Sequence, residues 1–256
     1  MLIGDTESDS FKYESTRIWV MCFWDTEAEE FVFSFDDEVC REFDVLAMIE
    51  EEVGSNYRWY YSHEDFTQDM SKYSICTHNY FQHEKPLIKK FYPWFNPKEE
   101  HDSYILCQLF NPDRGQHGLD AWSKRVGREG KVVHEDWSKF SPEMLHRVIE
   151  DVKDNVATWE VLMKEKAEWE AQGGSWDEAI KIEYSIADLQ GRQEMHGVML
   201  DQDKAYALAD EIYTEIQKID ETLLEQMPLR VVRGSEVSNP FRKDGQLTKV
   251  VERWFE

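Results

Sequence analysis

From Ser141 to about Trp169, apolar residues recur at helical spacing with no glycine to interrupt them. A run of that length predicts one long helix with a stripe to bury. Ser141-Pro142-Glu143 supplies its start, a serine N-cap followed by proline at the first helical position. The chain before Ser141 has a different character. Met1 to Thr6 reads as a strand, Arg17 to Trp24 is β-branched and aromatic enough for a second, and Glu30 to Phe35 alternates as a third. Phe43, Leu46, Ala47, Ile49 and Val53 then recur with helical spacing, and Tyr73 to Thr77 reads as a short buried strand. Trp59 and Tyr60 read as packing residues. Strands interleaved with helices predict an α/β sheet domain.

Beyond the long helix, Gln172-Gly173-Gly174-Ser175 is a break, and Ser175 can cap a second helix whose Ile182, Ile186 and Leu189 share a face until Gly197. A third carries Ala209, Ile212, Ile216, Ile219 and Leu223 before Pro228 ends the pattern. The tail from Leu229 is irregular and locally basic, with Arg230, Arg233, Arg242, Lys243, Lys249 and Arg253. The expected division is a sheet domain over 1–173 and a helical extension over 174–256.

With 41% hydrophobic residues, including 14 Phe, 11 Tyr and 10 Trp, the 256-residue chain has enough apolar volume for a real core. Cys22, Cys40, Cys76 and Cys107 are scattered, suggesting neither a structural zinc site nor a disulfide framework, and a reducing cytoplasm suits them. No apolar run approaches the roughly 20 residues of a membrane span, and the start lacks a basic-then-apolar leader, so a soluble, unexported protein is expected. The 53 acidic residues outnumber 29 basic ones, for a formal charge of −24. That charge repels a phosphate backbone at long range, so any DNA is held locally, by metal ions or by a partner. An acidic DNA mimic is a weaker alternative that draws on charge alone.

Three short segments carry chemistry. Asp5-Thr6-Glu7 ends the first strand, where residues two apart point to the same side and both carboxylates can meet one divalent cation. His78-Asn79-Tyr80-Phe81-Gln82-His83-Glu84 directly follows a strand. Glu150-Asp151-Val152-Lys153-Asp154-Asn155-Val156-Ala157-Thr158 lies in the long helix, where the ordinary reading is a solvated acidic face. Together and in this order they resemble the three exonuclease motifs of the DEDD superfamily. Further stretches resemble the N-terminal 3′-to-5′ exonuclease part of tailed-phage family A DNA polymerases: Asp102-Ser103-Tyr104-Ile105-Leu106, His117-Gly118-Leu119-Asp120-Ala121-Trp122-Ser123, Ala179 to Asp201 with Arg192 to Gly197, and Phe241 to Lys249.

The resemblance implies an RNase H-like mixed β-sheet with flanking helices and a helical C-terminal extension leading into the thumb, without palm or fingers. It implies two divalent cations, Mg²⁺ or Mn²⁺, held by Asp5, Glu7, Glu84 and Asp154. Substrate contacts fall to His78, Asn79 and Asp102, and the substrate is a DNA 3′ end. A separate polymerase-domain subunit and the cytoplasm of an infected bacterium are implied as partner and location. Two departures stand out: Glu84 replaces the family's Asp, and Glu150 replaces the Tyr that orients water four residues before the third-motif Asp. An alternative register places His146 as general base with Asp151. Asp154 is preferred because Thr158 continues the polymerase resemblance from it. The expected activity is exonucleolytic; the alternative is a catalytically impaired scaffold for a polymerase subunit.

Overall fold

The computed structural model describes residues 1–129, 136–227, 240–243 and 245–252. In chain order the first half comprises β1 (Leu2–Ser8), β2 (Ile18–Asp25), β3 (Glu30–Phe35), α1 (Asp37–Glu42), α2 (Val45–Val53), β4 (Tyr57–Tyr60), α3 (His63–Asp69), β5 (Ser74–Thr77) and α4 (Glu84–Phe91). There follow β6 (Glu99–Asp102), α5 (Ser103–Phe110), α6 (Leu119–Arg125), α7 (Pro142–Glu170), α8 (Asp177–His196), α9 (Gln202–Gln226) and α10 (Lys249–Glu252). The fold is α/β, and its six-stranded mixed sheet flanked by helices is consistent with an RNase H-like arrangement. No helix among the described residues is long and apolar enough to cross a membrane.

The strand order is β4-β3-β2-β1-β5-β6, with β2 antiparallel to both its neighbours and the other pairings parallel. Buried on both faces, β2 alternates its side chains between two cores. Val20 and Cys22 meet Phe33, Phe35 and the α7 residues Met144, Val148 and Val152. Met21 and Phe23 point the other way, to Phe66 of α3 and Leu87 and Ile88 of α4. The sheet is thus a middle layer, with α7 on one side. Trp59 and Tyr60 belong to the edge strand β4. Strand β6, with sequence Glu-Glu-His-Asp, has no hydrophobic alternation; it exists because its register with β5 sets Thr77 opposite Asp102.

The first compact unit runs from Met1 to Val198 and so includes α8. The expected boundary at Gly173 marks only the end of α7. Side chains of α8 explain the docking: Lys85 Nζ lies 2.7 Å from Asp188, Lys12 Nζ lies 2.6 Å from Glu194, and the Asp102 amide donates to the Tyr184 hydroxyl at 3.1 Å. Gly191 is buried where a Cβ would stand 2.3 Å from the Phe81 carbonyl oxygen.

The second unit runs from Met199 onward. Helix α9 buries no residue, and its Ile212, Ile216, Ile219 and Leu223 are exposed. Of the basic tail, Arg242, Lys243 and Lys249 are described, whereas Arg230, Arg233 and Arg253, like Pro228, lie outside the described residues.

Replacing Gly191 with Ala drives a methyl group into a backbone carbonyl. Overpacking of this kind costs about 1–3 kcal/mol, and at about 2–4 °C per kcal/mol the melting temperature falls by roughly 2–12 °C. Amide hydrogen exchange should accelerate selectively in α8. An unchanged melting temperature and unchanged protection in α8 would show that the helix is not seated there.

Candidate metal centre

Strand β1 lies at the middle of the sheet, between antiparallel β2 and parallel β5. Its two carboxylates, Asp5 and Glu7, are two residues apart and share a side of the strand. Above them runs α7, whose Arg147, Asp151 and Asn155 follow at four-residue intervals along one flank. Asn155 fixes the approach, donating from Nδ2 to the Gly4 carbonyl at 3.4 Å and accepting at Oδ1 from Ser103 Oγ at 2.6 Å. Asp151, with no exposed surface, then completes a group with Asp5 and Glu7 whose ligand oxygens all lie within 4.8 Å of one another. Opposed oxygens stand about 4.2 Å apart across Mg²⁺ and about 4.6–5.2 Å apart across Ca²⁺. Three hard oxygen donors at this separation fit a divalent ion.

Glu84 sits beside this group, at the first residue of α4, buried and accepting from Thr77 Oγ1 at 3.1 Å. Burial pushes its pKa well above the carboxylate range, and the Asp5 charge pushes it further. Glu7 is pushed up to about 8, first by burial, then by Asp5; Arg147 opposes that rise and Asp151 adds to it. The Arg147 guanidinium donates from Nε to Glu7 Oε1 at 2.9 Å and places Nη2 3.7 Å from Asp151 Oδ2. Asp5, Glu7, Glu84 and Arg147 line a cavity of about 650 Å³, together with His78, Asn79, His83, Asp120, Trp137 and the largely exposed Phe11.

The residues expected to contact substrate divide. His78 and Asn79 line the cavity, with His78 Nδ1 2.9 Å from Ser103 Oγ and Asn79 in a left-handed turn at φ 75°. Asp102 is fully buried. Its Oδ1 accepts from the amides of Asn79, Tyr104 and Ile105, and its Oδ2 from that of Phe81. Burial nevertheless raises its pKa to about 6, against the lowering effect of those amides. Asp102 therefore caps α5 and shapes the loop after β5 rather than reaching a ligand.

The third motif needs a correction. The residue that α7 brings to Asp5 and Glu7 is Asp151, and Asp154 is not in that group. Asp154 is buried and paired with Arg128, which also holds Glu150; Lys153 Nζ lies 2.7 Å from Glu150. Those two carboxylates form a separate ion-pair network, so Glu150 does not take the water-orienting place beside the metal group. Thr158 donates to the Asp154 carbonyl at 2.8 Å, a bond internal to the helix and uninformative about a ligand. The alternative register also divides, because His146 faces Glu52 at 2.8 Å on the exposed side. Four residues before Asp151 stands Arg147, which the motif comparison does not single out; its position one turn from a buried acid on the sheet-facing flank is the available signal.

No protein-family model matches the chain, and no curated protein matches it.

Glu7, Glu84 and Asp102, three carboxyls with raised pKa, set the sign of the pH response. Each binds a proton in the folded state at pH values where the unfolded chain has released it, so their contribution is full below about pH 4.5 and is lost as pH rises toward 8. The metal-free protein should therefore lose thermal stability between pH 5 and pH 8. The Glu84→Gln variant, neutral throughout, should lose less and melt at least about 3 °C above the parent at pH 8, the effect of roughly 1 kcal/mol in a chain of this size. A variant less stable than the parent at pH 8 would show that Glu84 is not held neutral by its surroundings.

Proposed function

We propose that this chain is a divalent-cation-dependent 3′-to-5′ exonuclease acting on DNA ends. The observation that carries the reading is the convergence of Asp5 and Glu7 from β1 with the buried Asp151 from α7, where Asp5, Glu7 and Glu84 line a cavity. Carboxylate oxygens suit Mg²⁺ or Mn²⁺. A bound ion would supply activation of water and stabilisation of charge on a phosphodiester. The protein's part is to hold the carboxylates at ligand distance and to release the protons kept by Glu7 and Glu84 when the ion enters. Phe11, 77% exposed on the rim, offers a face for stacking a terminal base. The motif order supports DNA as substrate, and the exposed stripe of α9 supports a polymerase-bearing partner.

A second reading, an impaired scaffold, is favoured by the departure at Glu84 and by the guanidinium that already occupies one oxygen of Glu7.

The decisive assay follows a 5′-labelled single-stranded oligonucleotide with Mg²⁺ or Mn²⁺. Stepwise shortening from the 3′ end, abolished by chelation, is expected. Asp151→Asn should reduce the rate at least about 100-fold, the scale of losses at metal centres, whereas Asp154→Asn should leave it within about threefold of the parent. No shortening with either ion would overturn the exonuclease reading in favour of the scaffold, and a greater loss in Asp154→Asn would reinstate the other register.

A further inference from the structure

We infer that Arg147 is an internal cation that occupies the place of a second metal ion, so that the centre takes one exchangeable divalent ion rather than two. This rests on the carboxylate group being a metal centre, and it concerns the ion count rather than the reaction. Two-metal hydrolytic sites keep their ions about 3.5–4 Å apart and share carboxylate ligands between them. Here one oxygen of a candidate ligand, Glu7 Oε1, already accepts from Arg147 Nε at 2.9 Å, and the guanidinium reaches to 3.7 Å from Asp151. An ion bound at about 2.1 Å from that oxygen would lie within a few ångströms of a positive group that does not deprotonate.

The guanidinium is also held in place. Arg147 is only 9% exposed, and its Cζ lies 4.7 Å from the centre of the Trp137 ring. The Trp137 carbonyl in turn accepts from Trp19 Nε1 at 3.0 Å, anchoring that segment to the sheet. Swinging the guanidinium aside would sacrifice the stacking as well as the ion pair. A planar, permanently charged group with several donors serves two carboxylates at once, as a bridging ion does. Arg147 is thus a positioning residue for Glu7 and Asp151.

The test counts ions on the full chain. Mn²⁺ binding is measured by calorimetry and by electron paramagnetic resonance of the free ion, for the parent, Arg147→Gln and Arg147→Lys. One Mn²⁺ per chain is expected for the parent and for Arg147→Lys, and one additional ion for Arg147→Gln. Two ions on the parent overturn the inference whether or not the variants fold, and so does an unchanged count in folded Arg147→Gln. A parent that binds no Mn²⁺ overturns the inference together with the metal-centre reading it rests on. A parent that binds one ion and digests DNA, with no gain in folded Arg147→Gln, overturns the inference and leaves the exonuclease reading standing.

Discussion

Along one flank of α7, Arg147, Asp151 and Asn155 recur at intervals of one helical turn, and each is tied to β1 or to a residue on it. Asn155 bonds the Gly4 carbonyl, Asp151 joins Asp5 and Glu7, and Arg147 pairs with Glu7. The adjoining apolar flank, Met144, Val148 and Val152, is sealed against β2 and β3. Helix and strand are thereby locked both along and across the contact, and the carboxylate geometry is a consequence of that lock. Sites built on packed elements hold their geometry more tightly than sites on loops. The rest of the first unit serves the same end: β5 and β6 bring Thr77 and Asp102 to one sheet edge, and the Asp102 amide bonds orient the loop that carries Asn79 and leads to Glu84.

Such a cluster is destabilising in itself. Burying several carboxylates within reach of one another raises their pKa values by desolvation and repulsion together. Perturbation of this kind is what functional sites share, although ion-pair networks show it too. The contrast between Asp151 and Asp154 makes the point inside one helix. Asp154 and Glu150 are compensated by Arg128, with Lys153 beside them, and have the character of a structural network. Around Asp5, Glu7, Glu84 and Asp151 four acids gather with the Arg147 guanidinium among the described residues, a concentration of acidic oxygens that suits a cation.

Much of this was legible in the sequence. The α/β class, β1 with its paired carboxylates, the N-cap at Ser141 and the break after α7 all follow from local pattern and capping chemistry. Strand β6 was not, because its four polar residues are strand only through pairing with β5. Nor does residue type say which acid of α7 meets the sheet, since Glu150, Asp151 and Asp154 are chemically alike. A helical projection at about 100° per residue does discriminate: Asp151 lies about 90° from the middle of the stripe formed by Met144, Leu145, Val148, Ile149 and Val152, and Asp154 about 150°. The motif resemblance, which favours Asp154, takes no account of helical phase. Arg147 is not legible by residue type either, because a lone arginine in an acidic helix reads as a surface charge until the helix is laid on its strand.

The central claim is that β1 and α7 together form one cation site through Asp5, Glu7 and Asp151. Crystals of the full chain grown with Mn²⁺ and measured at the manganese absorption edge test it directly. The account predicts an anomalous peak about 2.2 Å from oxygens of those three residues. A peak at Asp154 and Glu150 instead, or none at saturating Mn²⁺, would contradict it.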